Sequence, residues 1–128
     1  MSVTPITDIE TIIATAFATA LSGVGVAAYY RLAPQGTALP YVVYQPQDAY
    51  RPRDVVGNRF GSALILVKAL HSTASGARSL LATAHTGIAA GLTYSGYTLA
   101  ANYEQSPVLP WDGTVYQSGH IYRVTVTT

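Results

Sequence analysis

Hydrophobic residues near the N-terminus recur with the spacing of an amphipathic helix. They fall at i, i+3, i+4, i+7, i+8, i+11 and i+12, and are Ile9, Ile12, Ile13, Ala16, Phe17, Ala20 and Leu21. Thr7 followed by Glu10 has the pattern of a capping box, which predicts the first turn of this helix. Ser22 and Gly23 predict its end, with Gly23 suited to a left-handed position after the last turn.

A second helix is predicted from Ala74 to about Ala90. Its apolar positions form one stripe and are Ala77, Leu80, Leu81, Ala84 and Ile88. Ser72 and Thr73 are residues that commonly cap a helix N-terminus, and Gly91 is typical of a helix end.

Five further segments have strand-like patterns: residues 26–32, 39–45, 59–71, 97–105 and 114–127. The third contains the run Leu64 to Val67 without alternation, which predicts a strand that is covered on both faces or packs centrally. In the fifth, Tyr122, Val124 and Val126 alternate with polar residues, which predicts one solvent-facing side. The polar stretch 47–57 is predicted to be a long hairpin loop, and 106–113 a second loop.

The order α-β-β-β-α-β-β predicts an α+β fold. We expect one domain over residues 1–128, with a mostly antiparallel sheet of about five strands and both helices on one face. The other face would then be solvated or covered by a partner. No internal repeat or linker divides the chain.

The composition favours a covered surface. Of 128 residues only 10% are charged, against about 25% in ordinary soluble domains. The chain also has ten tyrosines, a residue enriched in interfaces where charge is depleted. The formal net charge of +1 provides no strong field for a nucleic acid.

No pattern of catalytic, cofactor-binding or metal-ligating residues is present. There is no cysteine, and the three histidines, His71, His85 and His120, stand at no metal-ligand spacing. The glycine pair Gly23 and Gly25 follows a helix and lacks the third glycine of a dinucleotide loop. The sequence shows no signal peptide and no apolar run of the ~20 residues that cross a bilayer.

Six residues are candidates for a subunit interface: Tyr41, Tyr44, Arg51, Arg53, Arg59 and Trp111. The two tyrosines belong to a strand that Pro40 introduces. The three arginines are either a solvated hairpin loop or a group that meets acidic residues of a neighbour or a DNA backbone. Trp111 is either a lid on the core or an interface anchor, since tryptophan is enriched among hot spots.

Several stretches together resemble a known family. They are YRLAPQG at residues 30–36, ALPYVVYQ at 38–45, the helix ARSLLATA at 77–84 and the final strand GHIYRVTV at 119–126. In order and type they resemble the small tail-completion or tail-terminator proteins of long-tailed bacteriophages and related prophage elements. The resemblance extends over nearly the whole chain.

The resemblance implies a structural virion protein rather than an enzyme. Such proteins form a ring of six subunits on the head-proximal end of the tail tube, stop its polymerisation and join it to the head connector. The implied partners are further copies of the chain, the tail-tube protein and the connector or head-closure protein, with genomic DNA only passing through the channel. The implied location is the virion neck, assembled in the host bacterial cytoplasm, with no membrane and no cofactor.

Two alternatives remain open from the sequence. Within the same particle, the chain is also compatible with a tail-tube or head-closure subunit. From another class, a small ligand-binding domain or enzyme remains, because sites can assemble from residues distant in sequence.

Overall fold

The computed structural model describes residues 9–47, 51–55, 58–107, 109 and 115–127. In this part of the chain there are two helices, α1 (Ile9–Leu21) and α2 (Ala74–Ala89). The strands are β1 (Ala28–Tyr30), β2 (Tyr41–Pro46), β3 (Arg51–Val55), β4 (Asn58–His71), β5 (Thr93–Tyr94), β6 (Tyr97–Gln105) and β7 (Tyr116–Thr127).

All seven strands belong to one sheet. Its order is β1-β2-β4-β7-β6-β5, and β3 pairs with the beginning of β4. Only β1 and β2 pair in parallel; the other pairs are antiparallel. The long strands β4 and β7 form the centre, so the apolar run of β4 has neighbours on both sides.

Both helices pack on the same face of this sheet. The main core contains the apolar stripe of α1, the stripe of α2 and every second residue of β4 and β7. Phe17 of α1 lies at its centre, where its ring stacks on Tyr44 at 6.0 Å and contacts Tyr122 at 6.4 Å between centroids. Burying one such side chain stabilises the fold by about 1.5–3 kcal/mol.

The two ends of α2 are fixed by local chemistry. The Thr73 hydroxyl accepts a hydrogen bond from the Gly76 N–H at 3.0 Å, satisfying one of the free donors of the first turn. After the last turn, Gly91 has φ +124°, which a residue with a side chain rarely adopts. The cap and end glycine predicted for this helix are confirmed.

The two helices and the mostly antiparallel sheet agree with the α+β prediction, but the sheet has seven strands instead of about five. The prediction of a loop over 47–57 was wrong for residues 51–55, which form β3. The backbone of β3 pairs with β4 from Val55↔Asn58 to Arg51↔Ser62. These backbone hydrogen bonds stabilise the strand more than its polar residues and Pro52 disfavour it. The second added strand is the two-residue β5.

The end of α1 also differs in detail from the prediction. The left-handed glycine is Gly25, with φ +89°, and not Gly23. The chain first continues through a turn in which the Val24 N–H donates to the Leu21 carbonyl. The predicted capping residue Thr7 lies outside the described residues.

Candidate interaction surface

The sheet face opposite the helices, here called the helix-free face, carries its own apolar centre. Val43, Leu66, Leu70 and Ile121 are all buried, although they lie outside the main core. Leu109 provides part of their cover: a methyl group added at Gly119 would lie 2.9 Å from the Leu109 Cδ1 and 3.2 Å from the Leu66 Cδ1. This part of the face is therefore occupied by the chain itself.

Exposed apolar and aromatic groups are found at the β1–β2 edge, defined here by Tyr29, Leu32 and Tyr41. The rings of Tyr29 and Tyr41 meet edge to face, with centroids 5.9 Å apart and an interplanar angle of 79°. Both are only partly buried. Leu32, just after β1, is 81% exposed.

The backbone before Leu32 is held in an unusual conformation. Arg31 has φ +70°, which costs a non-glycine residue of the order of 1–2 kcal/mol. Its N–H donates to the Tyr44 carbonyl at 2.9 Å, and the Leu32 N–H donates to the Tyr30 carbonyl at 2.8 Å. These two bonds fix the turn that directs Leu32 into solvent.

A carboxylate on α1 supports the same turn. The Glu10 Oε2 accepts from the Arg31 guanidinium at 3.0 Å and from the Tyr30 hydroxyl at 2.9 Å. The guanidinium also lies 5.1 Å from the centroid of the Tyr30 ring. The Arg31 and Tyr30 hydrogen bonds, in that order, lower the pKa of Glu10. The exposed leucine is thus presented by a connected set of contacts between α1 and β1.

The structure separates the two candidate tyrosines of β2. Tyr41 lies on the helix-free face, opposite Leu70 of β4. Tyr44 is 5% exposed and belongs to the core, where it contacts Phe17 and Tyr30; burial, and to a lesser extent Tyr30, raises its pKa. The expectation that Tyr44 contacts a neighbouring subunit is therefore corrected, since the subunit's own core encloses the ring.

The other candidates are located only in part. The backbones of Arg51 and Arg53 lie in β3, and that of Arg59 in β4, where Arg59 pairs with Asp54. The hairpin therefore brings the three arginines onto adjacent strands, while their side chains lie outside the described part. Trp111 also lies outside the described residues.

A cluster of aromatic and hydroxyl groups that no pattern in the sequence predicts lies between α2, β6 and β7. It consists of His85, Tyr103, Ser106, His120 and Tyr122, and is called here the His85–His120 cluster. Hydrogen bonds of 2.7 Å join His85 to Tyr122, Ser106 to His120, and Tyr103 to Ser106. Burial, and then Tyr103, raises the pKa of Tyr122, so this hydroxyl stays protonated. The members are far apart in the sequence, so no spacing connects them.

A cavity of about 500 Å³ adjoins this cluster, between α2, the segment after β6 and the start of β7. Arg78, Ser106 and His120 supply polar groups to its lining, and Leu81 and Leu109 supply apolar ones. Among the described residues, no three His, Cys, Asp or Glu side chains come together as metal ligands. The described helices include none that is long and apolar enough to cross a membrane.

The comparisons with known proteins identify the fold. No protein-family model and no curated protein matches this chain. A chain of the solved structure described as "Virion of native gene transfer agent (GTA) particle" superposes on it with a TM-score of 0.65. The two are 16% identical, and the match covers 96% of this chain and 100% of the other. The two chains share a fold.

Proposed function

We propose that the protein is a structural subunit of a phage-like particle and that it forms the ring capping the head-proximal end of the tail tube. The observation that carries this proposal is the end-to-end match in fold to a chain of a virion. The family resemblance of the sequence supports the finer role as tail terminator. The ring would contain six copies and contact the tube below and the head connector above, with DNA passing through its channel. Its location would be the virion neck, assembled in the host cytoplasm.

The surface of the subunit is consistent with contacts to further copies. In a closed ring each subunit presents two different patches, one to each neighbour. The β1–β2 edge supplies one such patch, because it combines two tyrosines with a leucine held in solvent. Aromatic side chains and sparse charge are typical of interface centres.

The role as terminator is tested with tail tubes. Purified protein is added to tubes from the same particle during polymerisation, and the tube lengths are measured by electron microscopy. A terminator binds at one tube end and halts growth, so the mean tube length stops increasing after the protein is added. Incorporation along the tube would instead identify a tube subunit, and tubes that grow unaffected would contradict the terminator role.

The interface is tested with three variants in the same assay. Leu32→Ser and Tyr41→Ser each remove an apolar group from the β1–β2 edge and are expected to weaken capping at least 10-fold, as interface hot spots do. Thr83→Ala, on the exposed surface of α2, is the matched control and should cap normally. Full capping by both edge variants would show that this edge is not the interface.

A further inference from the structure

The His85–His120 cluster links α2 through side chains to β6 and β7, which also pair with each other through their backbones at Tyr103↔Tyr122 and Gln105↔Ile121. His85 comes from α2, His120 and Tyr122 from β7, and Tyr103 from β6, with Ser106 following β6. The two imidazole centroids are 5.6 Å apart. The ring of Tyr103 contacts His120 edge to face at 4.9 Å, although Tyr103 itself is 51% exposed. The Tyr103 ring and the Ser106 hydroxyl are therefore held here by contacts with the histidine rings.

The hydroxyl of Ser106 connects the exposed and buried parts of the cluster. It lies 2.7 Å from the Nδ1 of His120 and 2.7 Å from the Tyr103 hydroxyl. With a neutral His120 whose Nδ1 has no proton, Tyr103 donates to Ser106 and Ser106 donates to His120. When the Nδ1 of His120 is protonated, it donates to Ser106, and Ser106 in turn donates to Tyr103. Both hydrogen bonds thus change direction, and the partly buried ring acquires a charge.

The charged groups whose side chains are described offer that proton no compensation. On α2, Arg78 lines the same cavity as His120 and has the same sign of charge. On the adjoining strands, Lys68 and Arg123 belong to the helix-free face. The two carboxylates whose side chains are described, Glu10 and Glu104, instead bind Arg31 and Arg123. Among the described side chains, the imidazoles thus have hydroxyl and aromatic neighbours and no carboxylate.

From this geometry we propose that the His85–His120 cluster is an acid-sensitive contact, which holds Ser106 and the Tyr103 ring against α2 and β7 at neutral pH and releases them as the pH falls. The proposal is independent of the tail-terminator role. Two imidazoles this close repel when both are charged, and the burial of His120 penalises the charge on its ring. Release relieves both costs by letting water reach the rings.

The pKa of His120 has the direction that such a contact requires. Burial, and then the neighbouring His85, lower it below the ordinary histidine value. In the unfolded chain the pKa of an imidazole is about 6.5, so the unfolded state takes up the proton first as the pH falls. The stability of the contact is therefore complete above about pH 6.5 and is lost as the pH decreases from there.

The direct test is an NMR titration of the full chain between pH 8 and pH 5, following the His120 ring and the backbone amides of Tyr103 and Ser106. The expected midpoint for His120 is below about 6.5, with both amides shifting at the same midpoint. A midpoint at or above that value, or amides that do not follow His120, would overturn the proposal. This measurement needs no variant.

A second test compares melting temperatures at pH 7.5 and pH 5.5. His120→Gln keeps a hydrogen-bond acceptor for Ser106 but cannot titrate. Its melting temperature should therefore decrease less between the two pH values than that of the wild type, and the two decreases should differ by about 3–5 °C. His71→Gln is the control, since His71 lies outside the cluster and accepts from the Thr73 N–H. If His71→Gln removes the acid sensitivity and His120→Gln keeps it, the contact lies at His71 and the proposal fails.

Discussion

Tyr41 and Tyr44 lie three residues apart on β2 and face opposite sides of the sheet. Because side chains alternate along a strand, an odd separation places one in the core and the other on the helix-free face. The core position belongs to Tyr44, which fills the space between Phe17 and Tyr30. Two tyrosines that look equivalent in the sequence therefore have different roles.

This difference predicts different costs for the same substitution. Tyr44→Ser removes a ring from the core and leaves a cavity beside Phe17, so the free energy of unfolding should fall by about 3–5 kcal/mol. Tyr41→Ser removes a partly exposed ring and should cost about 1 kcal/mol or less. Urea denaturation of both variants measures this. Equal losses would contradict the placement of the two rings.

At the scale of elements, α2 is fixed by its N-terminal cap and by its contact with α1. The cap is the Thr73 hydroxyl. The contact includes Gly87, where an added methyl group would lie 2.7 Å from the Ala20 carbonyl oxygen. Each contact predicts the effect of one substitution.

Loss of the cap should destabilise the fold by about 1 kcal/mol. Thr73→Ala leaves the Gly76 N–H without its acceptor, and a loss of about 1 kcal/mol is usual when a threonine N-cap is removed. Thr83→Ala is the matched control, because among the described residues the Thr83 hydroxyl donates only to the Ser79 carbonyl in the middle of the helix. Its stability should stay within about 0.5 kcal/mol of the wild type. Thermal denaturation of both proteins measures these differences. A Thr73→Ala protein as stable as the wild type would contradict the assigned cap.

The contact between the helices should make alanine unfavourable at Gly87, although alanine is the better helix former by about 1 kcal/mol. The new methyl group would meet backbone, which cannot rotate away, so Gly87→Ala should lower the free energy of unfolding by about 1–3 kcal/mol. Gly23→Ala, where the added methyl group meets no atom within 4 Å, is the control and should change little. A Gly87→Ala protein more stable than the wild type would show that the helices are not this close.

The sequence predicts those elements whose signals are local. The period of the apolar stripe identifies both helices, and the alternation of Tyr122, Val124 and Val126 identifies β7 as a strand with one exposed face. β3 was missed because its stability comes from pairing with β4, which neither Pro52 nor its polar neighbours indicate. The burial of Tyr44 and the His85–His120 cluster depend on contacts between distant residues, so no local pattern reveals them.

At the scale of the whole molecule, the low charge content agrees with a subunit that works inside an assembly. The helices cover one face of the sheet, and the chain itself covers the centre of the other. The surface that stays exposed includes the β1–β2 edge, where the turn at Arg31 holds Leu32 in solvent. In the proposed ring, this edge would be one of the two patches that each subunit presents to its neighbours.

The most direct test of the proposed role is the native mass of the purified protein across a range of concentrations, with the same samples viewed by negative-stain electron microscopy. We expect a single closed ring with the mass of six subunits that does not lengthen as the concentration rises. Open filaments or long tubes would contradict it and favour a tail-tube subunit. A protein that stays monomeric at every concentration, and also when purified tubes are added, would contradict the ring itself.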